Sequence, residues 1–287
     1  MIELISSIFG VIFRLIYTLL GNNYALTIVI FTILTKIMIV PLTYKQQKSM
    51  KEIEKIRPLE AQIRKKYVTD KNKQNEEITK LYAEHKINPL GGCLPLLIQM
   101  PIILGMFWII KQPLTYIKQM PLEQIKPYAV EMYTEQLEKQ GKTPEQITQM
   151  VSKIDEKQIK SLELEIANDK KLVDMNFMGV NLGLTPSKTM KEAPYLLVIP
   201  ALSLLIALIS NKRMLKKSNL TEEQLEQQKS MMMMTPIMST YISFIMPAAL
   251  GIYWLIGSVF GLVQQIILDE KFNPKPKNEL LNSGGKK

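Results

Sequence analysis

The feature that most constrains this chain is an apolar stretch at residues 24–42 that carries a lysine. The stretch, YALTIVIFTILTKIMIVPL, is long enough to cross a bilayer as a helix, at about 1.5 Å per residue against a core of about 30 Å. Thr32 lies four residues before Lys36, so the hydroxyl and the ammonium share one helix face. A charge in hydrocarbon is costly and usually faces protein or water, so Lys36 is a candidate functional residue.

A second interpretation is that Lys36 has no function and is tolerated in the span because its side chain reaches the headgroup region. It lies six residues before Leu42, which places it about 9 Å from that end of the helix. A lysine stem can extend over most of such a distance towards the headgroups. The stretch alone does not decide between the two interpretations.

Charge is distributed along the chain in blocks. Although 47% of the residues are hydrophobic and the net charge is +10, uncharged apolar runs at 24–35, 87–110, 193–211 and 230–268 alternate with densely charged segments. This alternation predicts an all-α polytopic membrane protein. The last run is too long for one span and suits two, with a break at 247–251. Five transmembrane helices are therefore expected.

The residue inventory indicates no enzyme. A single cysteine, Cys93, excludes an intramolecular disulfide framework, and a single histidine, His85, argues against a metal site or a Ser-His-Asp triad. Nucleotide-binding glycine motifs are absent from the sequence. We therefore expect no catalytic residues, no metal and no cofactor.

The chain is divided by these patterns into ten parts. They are an amphipathic interfacial helix at 1–22, transmembrane helices at 23–43, 89–111, 193–211, 231–248 and 250–269, a helical hairpin at 44–88, a polar segment at 112–192, a loop at 212–230 and a basic tail at 270–287.

Several local structures are expected within these parts. In the N-terminal helix, polar and small residues form one stripe (Glu3, Ser6, Ser7, Gly10, Arg14), which favours a helix lying in the membrane interface. The hairpin should be antiparallel and bent or restarted at Pro58. Residues 144–172 are expected to form one helix. Residues 177–187, rich in glycine and proline, should fold back onto the membrane surface, and the 112–192 segment should be a structural cap.

Orientation follows from the loops. Residues 43–88 hold twelve Lys and Arg against seven Asp and Glu, and the 212–230 loop and the tail are also basic. Five spans place these three on one side, which the positive-inside rule assigns to the cytoplasm. The N-terminus and the 112–192 segment are then outside.

Few polar side chains interrupt the spans, and each helix keeps them on one face. Gln99, Tyr253 and Trp254 join Thr32 and Lys36 as candidates, although Tyr253 and Trp254 also suit an aromatic belt at the outer surface. For the serines and threonines, interhelical hydrogen bonding is the preferred interpretation. Gly257 and Gly261 form a small-xxx-small pair that permits close helix contact. Because no acid lies in the spans before Asp269, at the end of the last one, Lys36 is expected in a wet cavity that opens to the basic side.

At residues 88–102, NPLGGCLPLLIQMPI, the chain resembles the YidC/Oxa family of membrane protein insertases. The end of the first span with Thr43, Tyr44, Lys45 and Gln46, and residues 246–265, MPAALGIYWLIGSVFGLVQQ, resemble the first and last core helices of that family. The resemblance covers about residues 2–272. Without a lipid-modified N-terminal cysteine or a large periplasmic domain, it suggests a type found in Gram-positive cells.

The resemblance implies an insertase and chaperone of the plasma membrane rather than an enzyme. Its five helices would surround a hydrophilic groove in the inner leaflet, where many bacterial relatives have arginine at the position of Lys36 and an aromatic residue at that of Trp254. Lysine cannot form arginine's planar fork, so it would supply charge and hydration rather than a bidentate contact. Implied partners are nascent single-span proteins with acidic outer segments, the Sec translocon, the ribosome and membrane lipid.

Two other function classes compete with this interpretation. A small-molecule transporter would use Lys36 as an anion site, and it predicts an internal repeat that the five dissimilar spans do not display. A structural ribosome anchor would depend completely on residues 271–287. Solute transport and truncation of the tail separate these classes from an insertase.

Overall fold

The computed structural model describes residues 2–87, 94–216 and 222–272 and is almost entirely helical. The α-helices are α1 (Ile2–Leu19), α2 (Tyr24–Lys66), α3 (Lys71–Glu84), α4 (Leu94–Lys111), α5 (Pro113–Tyr116), α6 (Leu122–Lys139), α7 (Pro144–Ser152), α8 (Glu156–Asp169), α9 (Val198–Lys216), α10 (Glu222–Ile245) and α11 (Ala248–Phe272). Strands β1 (Asn176–Phe177) and β2 (Val180–Asn181) form one antiparallel hairpin, and a 3-10 turn at Pro194–Leu197 precedes α9.

Among the described residues, three helices are long and apolar enough to cross a membrane: Tyr24–Lys66, Pro194–Leu215 and Ala248–Glu270. Shorter apolar helices cover Leu4–Leu19, Gln99–Lys111 and Pro236–Ile245. Large apolar side chains such as Met38, Leu205 and Ile267 are more than half exposed on the membrane-length helices. Exposed apolar surface on this scale is what a lipid environment would cover, and an all-α membrane protein is the fold class that the sequence predicted.

The chain forms two compact units, which are described separately. The first contains residues 2–34, 99–204 and 237–256, and therefore α1, the start of α2, most of α4, α5 to α8, the β-hairpin and the break between α10 and α11. The second contains the described parts of 35–98, 205–236 and 257–287, including the rest of α2 with α3 and the later part of α11.

In the second unit, α2 continues from the apolar stretch into a hairpin with α3. The helix runs through Pro41 and Pro58 without ending, so a restart at Pro58 was wrong. A proline removes one hydrogen bond but need not end a helix that is held elsewhere. Here, packing of the hairpin supplies that support: Ile53, Ile56, Leu81 and Ile87 form its core.

The turn of the hairpin is closed by one buried amide. The Gln74 side chain donates to the backbone carbonyls of Arg64, at 2.9 Å, and Tyr67, at 3.4 Å. These carbonyls lie at the end of α2, where a helix leaves its last carbonyls without helical partners. A turn expected from the polar run at 69–75 is confirmed only at its start, because α3 begins at Lys71, after Asp70, which caps it. The expected end of the hairpin at Asn88–Gly92 lies outside the described residues.

In the first unit, residues 122–169 form three helices. The single helix expected over 144–172 was wrong: α7 ends at Ser152 and α8 begins at Glu156. Asp155 starts α8 through a capping box, in which its carboxylate accepts from the Gln158 backbone N–H and the Gln158 side-chain oxygen accepts from the Asp155 backbone N–H. Such a reciprocal cap favours a new helix start over continuation of α7.

Residues 175–187 are bonded to the break between α10 and α11. The carbonyls of Leu184 and Leu182 accept hydrogen bonds from the amides of Ala248 and Ala249, at 2.8 and 2.9 Å. The first amides of a helix have no helical acceptor, so this segment satisfies the start of α11. The break itself lies at Met246–Pro247, at the start of the predicted range.

Helix α1 turns its polar stripe partly inward. Ser6 is fully buried, and a Cβ at Gly10 would lie 3.1 Å from the Tyr116 ring, so these small residues permit close packing. The outward side is apolar, with exposed side chains at Leu4, Ile8, Val11, Leu15 and Leu19. The small members of the stripe therefore make contacts inside the unit.

Candidate functional site

Lys36 lies on α2 in the second unit, where its stem contacts a glycine of α11. A Cβ built at Gly257 would lie 3.1 Å from Lys36 Cε and 3.6 Å from its Nζ. The lysine is half-buried. Gly257 therefore provides room for the lysine side chain, so the expected close contact at this glycine is realised. At Gly261, by contrast, a Cβ would lie in open space, with no described atom of a neighbouring element within 4 Å.

A second contact in the same unit shows the relative direction of α2 and α11. The Gln264 side-chain amide donates a hydrogen bond to the Thr43 hydroxyl. Thr43 follows Lys36 by seven residues, and Gln264 follows Gly257 by the same number, about two helical turns in each case. Within this unit, the two helices therefore run in the same direction and in register.

Gln99 and Tyr253 are brought together in the first unit. The Gln99 amide donates to the Tyr253 hydroxyl at 2.9 Å, and the tyrosine is 2% exposed. The pair joins α4 to α11 through polar groups on otherwise apolar helices. An outer aromatic belt does not require such a buried hydroxyl, so the geometry favours an internal position for Tyr253. Trp254, the next residue, is partly exposed.

Thr32 is buried in the same unit. Its hydroxyl donates to the Ile28 carbonyl at 2.6 Å, one turn earlier in α2. This bond to the helix backbone is common for threonine in apolar helices and satisfies the hydroxyl locally. Of the five candidates, Thr32, Gln99, Tyr253 and Trp254 belong to the first unit and Lys36 to the second.

For the serines of the spans we expected hydrogen bonds between helices. One of three serines makes such a bond in the described residues, and two do not. The Ser210 hydroxyl donates to Gln265 at 2.9 Å. Ser203 and Ser243 are buried, and their hydroxyls have no hydrogen-bond partner among the residues that the structure describes.

One buried acid was missed by the sequence reasoning. Glu163 of α8 is fully buried, and its carboxylate accepts from the Thr115 amide at 2.8 Å and the Thr115 hydroxyl at 2.7 Å. Gln112, at the start of α5, makes no capping bond with its own side chain. Glu163 therefore caps α5 from another helix, and no local spacing in the sequence could have indicated this.

No group of three or more His, Cys, Asp or Glu side chains in the described ranges is arranged to hold a metal ion. The polar groups of the candidate site are hydrogen-bonding amides, hydroxyls and one cation. What they can do chemically is bind water, attract negative charge and hold helices together.

We expect alanine at Gly257 to stabilise the protein less than alanine at Gly261. Replacing a helical glycine by alanine gains about 0.4–1 kcal/mol where the new methyl is unhindered. Gly261 has open space, whereas a methyl at Gly257 pushes against Lys36 Cε. Thermal unfolding of the purified chain should show a higher midpoint for Gly261→Ala than for Gly257→Ala. In a Lys36→Ala background the difference should disappear, and its persistence would contradict the contact.

These helices and buried polar groups define an all-α membrane protein whose apolar helices carry a small set of polar side chains. The 60Kd inner membrane protein family matches the chain over residues 15–275. The chain belongs to this family, the YidC/Oxa family that the sequence resembled.

Two individual relatives match most of the chain, and a third matches a shorter part of it. A protein of Fusobacterium nucleatum subsp. nucleatum named membrane protein insertase YidC is 30% identical over 250 residues, which are 87% of this chain and 88% of that protein. A protein of Listeria innocua serovar 6a named membrane protein insertase YidC 2 is 28% identical over 270 residues, 92% of this chain and 70% of that protein. A shorter match, 42% identical over 105 residues, is to membrane protein insertase YidC of Nitratidesulfovibrio vulgaris strain DP4, and covers 34% of this chain and 20% of that protein.

Proposed function

We propose that the chain is a membrane protein insertase and chaperone, which inserts newly made integral membrane proteins and helps them fold. The observation that carries this proposal is the family match over residues 15–275, together with a relative named as an insertase that matches over 88% of its own length. No enzymatic step is required, because transfer of an apolar segment from water into lipid is itself favourable. The insertase would act alone or beside the Sec translocon.

For its topology we propose five spans in the plasma membrane, with the N-terminus outside and the C-terminus in the cytoplasm. The parallel register of α2 and α11 supports an odd number of spans between them, and five spans place three there. The basic hairpin would then be cytoplasmic, where it would receive the nascent chain. The basic loops and tail would help dock ribosomes through their phosphates.

We further propose a hydrophilic groove in the inner leaflet that carries Lys36, Thr32, Gln99, Tyr253 and Trp254. Its support is the residue types, the family resemblance and the Gln99–Tyr253 hydrogen bond between two apolar helices. Lys36 would hold water within the membrane and attract acidic residues of a substrate's outer segment. The substrate would then cross less hydrocarbon, while its apolar segment moves sideways into lipid.

The test is photo-crosslinking during insertion. The purified chain is reconstituted into vesicles with a photoreactive residue at position 36, 99 or 254, and a single-span protein with an acidic outer segment is synthesised in their presence. We expect protease-protected substrate and crosslinks from all three positions to its apolar segment. Insertion no faster than into empty vesicles would refute an insertase that acts alone, and addition of the Sec translocon then tests whether the chain acts beside it.

The same vesicles separate the insertase from an anion transporter. A transporter would move labelled small anions at a rate that depends on Lys36 and would not accelerate insertion. An insertase gives the opposite pattern. Deletion of residues 271–287 should leave insertion measurable, whereas complete loss of insertion would favour a ribosome anchor.

A further inference from the structure

We propose that a cavity between the end of α4 and the start of α8 binds an acidic phospholipid from the leaflet that faces residues 112–192. The cavity measures about 680 Å³. Its lining comes from two parts of the first unit: Phe107, Trp108, Lys111, Gln112 and Tyr116 on one side, and Glu156, Lys157, Lys160 and Ser161 on the other. This inference goes beyond the proposed insertase function, and it requires only that α4 lies in a membrane.

The apolar part of the lining lies on the membrane helix. Phe107 and Trp108 stack edge to face, with ring centroids 5.4 Å apart, and both are partly exposed. They precede Lys111 by four and three residues, about one helical turn. Aromatic side chains one turn inside a basic helix end occupy the depth at which a lipid's acyl chains meet its headgroup.

The polar part of the lining is cationic. It holds three lysines and one glutamate, and Glu156 is paired with Lys160 at 2.5 Å. In the described part of the chain, neither Lys111 nor Lys157 forms a salt bridge. The two lysines come from different parts of the chain and line the same cavity, so both can offer positive charge to an anion bound there.

One molecule has both properties that the lining requires. A phospholipid with a net negative headgroup, such as phosphatidylglycerol, offers a phosphate to Lys111 and Lys157 and an acyl chain to Phe107 and Trp108. A zwitterionic lipid carries an ammonium that the lysines would repel. Free phosphate has no part that would contact the aromatic rings, and an acidic peptide has no reason to lie at membrane depth.

Quenching of Trp108 fluorescence tests the proposal in the full-length chain. Because the chain has two tryptophans, a Trp254→Phe variant leaves Trp108 as the fluorophore. This variant is reconstituted into two series of vesicles. In the first, a varied fraction of brominated phosphatidylglycerol is diluted in unlabelled phosphatidylcholine. In the second, a varied fraction of brominated phosphatidylcholine is diluted in unlabelled phosphatidylglycerol. We expect brominated phosphatidylglycerol to reach half-maximal quenching at a lipid fraction lower, by about fivefold or more, than brominated phosphatidylcholine requires.

Variants assign this preference to the lysines. Lys111→Gln with Lys157→Gln should reduce it to less than about twofold. Lys142→Gln with Lys153→Gln removes the same charge from exposed positions outside the cavity and should keep it. Lys111→Arg with Lys157→Arg should also keep it, which separates loss of binding from loss of folding.

Three outcomes of the quenching experiments would overturn the proposal. They are equal quenching by the two lipids, a preference that survives in the double glutamine variant, and a preference that the control double variant also loses. Competition by soluble glycerol phosphate at millimolar concentration would indicate a site for the phosphate alone and would equally contradict a lipid site.

Discussion

Replacing Lys36 by glutamate is expected to slow insertion of a single-span substrate with an acidic outer segment by about tenfold or more. A tenfold change corresponds to about 1.4 kcal/mol, well below the several kcal/mol that two like charges a few ångströms apart can cost in a poorly solvated site. Lys36→Gln keeps a polar group but loses the attraction, so its insertion rate should lie between those of the native chain and Lys36→Glu. Lys36→Arg keeps the charge and should insert at close to the native rate.

Charge exchange between protein and substrate distinguishes this role from damage to the fold. A substrate with a basic outer segment should be inserted slowly by the native chain and faster by Lys36→Glu. Lys142→Glu, an equal reversal at an exposed position of the 112–192 segment, should change neither rate. The measurement is protease-protected substrate against time in vesicles of fixed lipid composition. Equal insertion by the native chain and by Lys36→Ala would reject the proposed role.

The sequence predicted those features of the site that depend on residues within one helix. A lysine in an apolar stretch is visible from the residues themselves, and the spacing of Gly257 and Gly261 indicated a close contact. It could not tell which glycine would meet Lys36, because that depends on how α11 packs against α2. The hydrogen bond between Thr43 and Gln264 was missed for the same reason, although their equal spacing from Lys36 and Gly257 was visible.

The polar segment was predicted least well. Helix α6 was not predicted at all, and α7 and α8 were merged into one helix. The apolar spacing in 144–172 is helical throughout, so periodicity alone could not locate the break. Asp155 with Gln158 three residues later was the missed signal, since this pattern marks a helix start. The cavity beside Trp108 could not be predicted without the fold, because Lys111 lies more than forty residues before Lys157 and Lys160 in the chain.

Replacing Glu163 by alanine is expected to lower the thermal unfolding midpoint of the full chain and to release α5 and α8 from protection against hydrogen exchange. The substitution leaves the partly buried amide and hydroxyl of Thr115 without their acceptor, and each such loss costs about 1–3 kcal/mol where the group stays out of contact with water. Glu163→Gln retains one carbonyl oxygen that can accept from the Thr115 backbone amide, so it should lower the unfolding midpoint less than Glu163→Ala does. Glu165→Ala, a change on the same helix at a residue outside this contact, is the matched control.

The pH dependence has a definite sign. Burial raises the pKa of the Glu163 carboxyl above its ordinary value of 4.5, while the hydrogen bonds from Thr115 and the charge of Lys160 oppose the rise. A group whose pKa is higher in the folded state contributes stability that is fully present below the unfolded pKa and is lost as the pH rises through the folded pKa. The native chain should therefore lose stability relative to Glu163→Gln as the pH is raised from 4.5 upwards. Thermal unfolding of both chains across this pH range measures the difference in their stability. If that difference stays constant, or changes in favour of the native chain as the pH rises, folding does not raise the pKa of the Glu163 carboxyl and the prediction is wrong.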